Sequence, residues 1–172
     1  ILLSSANFLL KSKQRECTTR DESGIINKIW EKHMTRREMR EAAFTLIFAQ
    51  ILNKSEPEEV IAAASEIDDL KLNDVAKNLF KDVVIKADDL DDIIGKYSRT
   101  RTIARIPTSS LAILRLALYE IIYDESMPMN VAISEAVLLS KKYSDDADVS
   151  FINGVLGAYS RDCDEKGKIQ DE

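Results

Sequence analysis

Residues 111–157 read LAILRLALYEIIYDESMPMNVAISEAVLLSKKYSDDADVSFINGVLG, and this stretch decides the fold. Its first part, Ser110 to Tyr123, is apolar nearly all round, interrupted only by Arg115, Tyr119 and Glu120. A helix with no clean polar face is a core helix with neighbours packed on several sides. About 14 residues is too short to cross a bilayer, which needs roughly 20. Ser110 reads as the N-cap, and Asp124 with Met127-Pro128 ends the helix. Asn130 reads as the cap of a second helix whose inner face carries Ala132, Ala136, Leu139 and Tyr143. After the polar loop Ser144-Asp145-Asp146, a third helix presents Phe151, Val155 and Ala158 on one side. Asn153-Gly154 is a hairpin dipeptide, but no alternating strands flank it. Gly154 and Gly157 therefore read as points of close helix packing. Arg115, inside an apolar helix, requires a buried partner.

Working outward, the whole chain has 172 residues, 45% of them apolar, with only five glycines and three prolines. That composition specifies a helical globule of one domain plus tails. The formal charge is −6, so a nucleic-acid surface would have to come from local clustering rather than from net charge. No run of apolar residues reaches a membrane-spanning length. The opening ILLSSANFLL lacks the basic region and cleavage site of a signal peptide. Cys17 and Cys163 lie far apart, and His33 is the single histidine, so no zinc pattern exists and reduced thiols of a cytoplasmic protein are expected.

Thr35-Arg36-Arg37-Glu38 is a capping box that starts a helix. Met39, Ala42, Ala43, Leu46, Ile47 and Gln50 follow the helical period as a buried stripe, with Arg37, Arg40, Phe44 and Phe48 on a neighbouring face. Arg36, Arg37 and Arg40 place positive charge at the positive end of the helix dipole. Two readings follow: an anionic ligand at the helix start, or arginines paired with Glu38 and Glu41. Ser55-Glu56-Pro57-Glu58 has capping-box spacing for a second helix, with Val60, Ile61, Ala64 and Ile67 inward. Asn73 begins another, with Val75, Leu79, Val83 and Ile85 inward. Asp88-Asp89 and Asp91-Asp92 lack the glycine and glutamate of a calcium loop, and read as solvated residues at a helix start. Arg99, Arg101 and Arg105 form a second basic cluster, open to phosphate contact or to plain solvation. The tail RDCDEKGKIQDE reads as disordered.

ILRLALYEI, PMNVAISEAVLLSKKY and FINGVL, together with MTRREMREAAFTLIFAQ, resemble in order the motifs of the NusB family of transcription antitermination factors. The resemblance runs from about Met34 to about Tyr159. It implies an all-α, compact single-domain bundle of about seven helices over residues 34–160, with 1–33 as an extension outside the fold and 161–172 as a charged tail. Ile25, Ile26, Ile29 and Trp30 alternatively make 1–33 an amphipathic arm. The family's function implies binding of boxA-type single-stranded RNA from nascent ribosomal RNA transcripts. It also implies a small-subunit ribosomal protein, NusE, as partner within an RNA polymerase antitermination complex, and no cofactor, catalysis or membrane.

Carried over by motif, the RNA-binding candidates are Arg36, Arg37, Arg40 and Phe48 on the first helix, with Lys142, Tyr143, Asp146 and Phe151 towards the C-terminus. Phe48 and Phe151 also fit an ordinary core role, and Asn153 reads as a structural hydrogen-bonder. Ser144 stands in place of the usual glycine, Ser150 in place of a basic residue, and Leu111 in place of an arginine. A NusB-like domain at the front of a ribosomal RNA cytosine methyltransferase is a second reading. It sits poorly with the short segment after Ser160 and the lack of a glycine-rich cofactor loop. A helical protein-binding adaptor is a third.

Overall fold

The computed structural model describes residues 34–67 and 72–170. The readings that fall on 1–33, including the arm through Trp30 and the placement of Cys17 and His33, lie outside these residues. Seven α-helices, with no strand among the described residues, follow one another as α1 Arg36–Asn53, α2 Pro57–Ser65, α3 Asp74–Ile85, α4 Ala87–Tyr97, α5 Thr108–Tyr123, α6 Met129–Tyr143 and α7 Asp146–Gln170. A single turn of 3₁₀ helix, Ile103–Arg105, leads into α5. The all-α bundle implied by the sequence is therefore what forms.

The apolar helix is the hub. α5 packs against α1, α3, α4, α6 and α7, and its Leu111, Ala112, Ile113, Leu114, Leu116, Ala117 and Leu118 are all buried. Each fully buried Leu or Ile contributes roughly 1.5–3 kcal/mol by leaving water, so the core is concentrated on this one element. Phe44, Leu46 and Ile47 of α1, Phe80 and Val83 of α3, Leu90 and Ile94 of α4, and Ile152, Val155 and Leu156 of α7 close around it. Arg115 does find its partner: its Nε and Nη2 donate to the two oxygens of Asp91, each at 2.7 Å, tying α5 to α4. Asp91 is thus a structural anion rather than a solvated one.

Several local expectations are corrected. α5 begins at Thr108, with Pro107 as the cap residue and its carbonyl accepting from Leu111 N at 2.9 Å. Ser110 lies within the first turn and is buried, its hydroxyl unpartnered among the described residues. α6 likewise starts after Pro128 rather than at Asn130, which falls inside the helix. The pre-set φ of each proline, −54° and −61°, makes it a ready lead-in and displaces the polar residue from the cap. At α2 the helix starts at Pro57, and no side-chain cap forms.

Asn73 does cap α3, accepting from Ala76 N at 2.8 Å. The inner face of α3 is Ala76, Phe80 and Val83, and Val75 and Ile85 point outward, 58% and 76% exposed. A methyl group at Gly154 would touch nothing within 4 Å, so this glycine faces open space and serves no helix packing. Asn153 beside it is exposed too. Helix α7 also continues to Gln170 where 161–172 reads as a disordered tail. Its Asp162 accepts from Tyr97 Oη and lies 3.5 Å from Lys96 Nζ, both on α4, and Tyr159 meets Tyr97 edge-on. These long-range contacts hold a segment whose composition alone suggests none.

Candidate nucleic-acid interface

The start of α1 is built as its sequence demands. Thr35 accepts from Glu38 N, and the Glu38 side chain returns to Thr35 N at 2.8 Å, so both halves of the capping box are present. This fixes the register in which Arg36, Arg37 and Arg40 leave the helix. Their fates differ.

Arg36 is exposed, and its charge adjoins a groove also lined by Met39, Val75, Leu79, Asp124 and Met127. Arg37 is exposed too, but its Nε and Nη2 donate to Glu135 of α6 at 3.2 and 2.8 Å. Arg40 is buried, only 5% exposed. Its Nε donates to both oxygens of Glu120 on α5, at 2.9 and 2.8 Å, and its Nη1 to Glu135 at 3.0 Å. Arg37 and Arg40 are therefore bonded to Glu120 and Glu135, carboxylates of α5 and α6. Arg40 is placed to shape the site rather than to reach a ligand.

Electrostatics follow this geometry. The bond from Arg37 holds the Glu135 carboxyl below the usual carboxylate range, assisted by the Arg40 charge. Burial pushes Glu120 up despite its bonds to Arg40. Arg37 and Arg40 together face Glu120 and Glu135, two cations against two carboxylates, so Arg36 is the exposed guanidinium of the first turn outside this network.

A groove beside them is lined by Arg37, Arg40, Glu41, Glu135, Leu138, Leu139 and Lys142. At its far end Glu41 gathers two of the C-terminal candidates: Lys142 Nζ and Tyr143 Oη both donate to it. Burial alone would lower the Lys142 ammonium, but the bonds to Glu41 and Tyr143 outweigh it and hold the group above its usual value. The Tyr143 ring stacks on Phe44 at 4.8 Å, and Phe44 on Phe48 at 6.0 Å. Phe44 is core, while Phe48 is half-buried at its edge. Arg36, Arg37, Lys142, Tyr143 and Phe48 thus belong to one side of the molecule, organised by α1 and α6.

Asp146 and Phe151 are separate from this group, both on α7. Asp146 opens that helix and is exposed. Asp145 caps it, accepting from Asp148 N at 2.8 Å. Phe151 packs against the core, and the guanidinium of Arg101 lies over its ring at 4.6 Å. Of the second basic cluster, Arg99 and Arg105 are exposed, whereas Arg101 is bonded to Asp148.

Glu120 and Glu135, and the pairing of Glu41 with Lys142 and Tyr143, are what sequence reasoning missed. One signal was available: Arg37 and Arg40 stand three apart on one helical face, where a single carboxylate can serve both. No metal-binding cluster of His, Cys, Asp and Glu occurs among the described residues. None of their helices is long and apolar enough to cross a membrane.

The protein-family model described as the NusB family matches residues 37–161. A transcription antitermination protein NusB from Clostridium botulinum (strain Alaska E43 / Type E3) is 41% identical over 128 residues, covering 72% of this chain and 96% of the relative. Its counterpart from Acetivibrio thermocellus is 42% identical over 130 residues, covering 72% and 87%. Among solved structures, T. maritima NusB superposes with a TM-score of 0.64 at 25% identity, over 72% of this chain and 89% of that one. A structure of the antitermination factors NusB and NusE in complex with dsRNA gives 0.63 at 30% identity, over 72% and 93%.

Proposed function

The chain belongs to the NusB family, and from that premise we propose that it is a transcription antitermination factor that binds boxA-type single-stranded RNA of nascent ribosomal transcripts. It does so with the small-subunit ribosomal protein NusE, inside an RNA polymerase antitermination complex in the cytoplasm. It holds RNA and partner without catalysing a reaction and needs no cofactor. The RNA-binding domain is residues 34–160, with 1–33 an extension that the fold does not require and the segment after residue 160 an appendage of α7.

The observation that carries this reading is the pair Arg36 and Arg37, exposed in the first turn of α1 where the helix dipole disfavours positive charge. Charge kept at such a position serves a polyanion better than it serves the helix. Guanidinium groups grip phosphate oxygens and set register, while splayed bases are read by stacking on flat groups. In this assignment Arg36 and Arg37 hold phosphates, with Lys142 continuing the track along α6. Arg40 positions Arg37 through their shared carboxylate. Tyr143 and Phe48 supply flat surface, Phe151 backs the interface from α7, and Asp146 marks the polar start of that helix.

The test is a titration of boxA-like RNA into the protein across a salt series, with and without the ribosomal partner. With a net charge of −6 the chain alone binds weakly. The partner is expected to raise affinity at least tenfold, about 1.4 kcal/mol of coupling. Partner binding with no salt-dependent RNA affinity would overturn the reading in favour of a protein adaptor.

A further inference from the structure

Arg101 is held at three points, two on its side chain and one on its backbone. Its Nη1 donates to Asp148 of α7, its guanidinium lies over the Phe151 ring at 4.6 Å, and its own carbonyl accepts from Ser98 Oγ. The following turn is closed by Arg105 N donating to Thr102 O at 2.8 Å, so the loop that carries Arg101 is tied at both ends. Asp148 is 8% exposed, which gives the ion pair a firm seat. The Arg101 side chain nevertheless keeps 28% of its surface open.

Phe151, in turn, packs on the core and has this guanidinium over it. This corner of the molecule therefore offers a part-exposed Arg101 whose fixed guanidinium is backed by an aromatic ring. A guanidinium plane stacks on nucleobases as an aromatic side chain does. One already desolvated on one face and immobilised loses little freedom in doing so.

The geometry points to Arg101 as a base-stacking residue of the RNA interface: a nucleobase lies on the guanidinium of Arg101, and Phe151 supports that plane from beneath instead of meeting the base itself. This rests on the RNA-binding reading above. Its distinguishing feature is electrostatic. Asp148 already balances the charge of Arg101, so the contact is made by a surface and not by a phosphate clamp. Loss of Arg101 should lower affinity without flattening the salt dependence, in contrast to loss of the exposed Arg36.

The experiment uses the full chain with its ribosomal partner and boxA-like RNAs carrying 2-aminopurine at one position at a time. Arg101→Lys keeps the cation for Asp148 and removes the plane, so it separates stacking from folding. The expected result is affinity at least fivefold lower at every salt concentration, an unchanged salt slope and an unchanged melting temperature. One 2-aminopurine position should also lose its fluorescence response, a response that Arg36→Gln retains. Wild-type affinity and fluorescence in Arg101→Lys would overturn the proposal and leave Arg101 as a clip between its loop and α7. A slope reduced by about 0.7 in Arg101→Ala would overturn it in favour of a phosphate contact. Failure of the wild-type complex to bind any of the RNAs would instead remove the RNA-binding reading itself.

Discussion

Arg40 and Arg115 both tie a neighbouring helix to α5 through a carboxylate, but the two junctions are wired differently. Arg115 meets Asp91 in a bidentate pair that shares no other ion-pair partner among the described residues. Arg40 meets Glu120 in the interior and then shares Glu135 with the exposed Arg37. The first junction is a closed staple between α4 and α5. The second is a chain of charges running from the core at α5 to the open surface of α1. A site that must hold its cations in fixed positions gains from the second arrangement, and a junction that only has to hold gains nothing from it.

The largest expected effect comes from opening the buried end. Arg40→Met leaves Glu120 in the interior without its cation, and breaking a buried pair in this way costs about 3–5 kcal/mol. Adding Glu120→Leu should recover most of that loss in denaturant unfolding. A single mutant within 1 kcal/mol of wild type would erase the distinction between the two junctions. Arg115→Met should cost less, about 1–3 kcal/mol, because the Asp91 side chain it strands is 21% exposed and water can reach it. Its RNA affinity should match wild type, and a drop would mean that the staple is not closed.

A smaller effect concerns pH. Arg37 holds Glu135 below the usual carboxylate range, so Glu135 ionised lends stability that is fully present above the unfolded value of about 4.3. That contribution is lost as pH falls through the lower folded value. Melting temperature against pH should therefore have a shallower acid limb in Glu135→Gln. A parallel limb would show that the carboxylate is not carrying the link. Stability should respond least to Arg36→Gln with Arg37→Gln, where relief of the unfavourable helix dipole offsets the lost bond from Arg37 to Glu135. The same double change should reduce the RNA salt slope by about 1.4, at roughly 0.7 per phosphate contact on a single strand. A slope unchanged in the double mutant would send the search for the phosphate track to Lys142 or Arg105.

Helix identities were legible because they rest on near neighbours. Thr35 and Glu38 lie three apart and close the box they spell. The nearly unbroken apolar run from Leu111 to Leu118 demands cover on several sides, which it receives. Facing was less legible where a helix has apolar residues on more than one side, as Val75 and Ile85 show on α3. Starts were misjudged where a proline sets the lead-in, at Pro107 and Pro128, because a nearby serine or asparagine looks the better cap.

For the site, the cations were visible and their carboxylates were not. Glu120 is 80 positions from Arg40 and Glu135 is 98 from Arg37, and no local period joins such pairs. Arg101 was visible only as one member of a basic cluster. What singles it out, Asp148 and the Phe151 ring, appears once α7 is laid beside its loop.

Glu135 also changes what an incoming ligand has to do. Its two oxygens hold the Arg37 guanidinium by the same two-pronged grip that a phosphate would use. The protein thus carries its own stand-in anion, which keeps the cation extended and aimed. A guest must outcompete a carboxylate a few ångströms away. In the RNA-binding role proposed above, a strand whose phosphates arrive together along α1 and α6 competes with that carboxylate better than chloride or a lone acetate does.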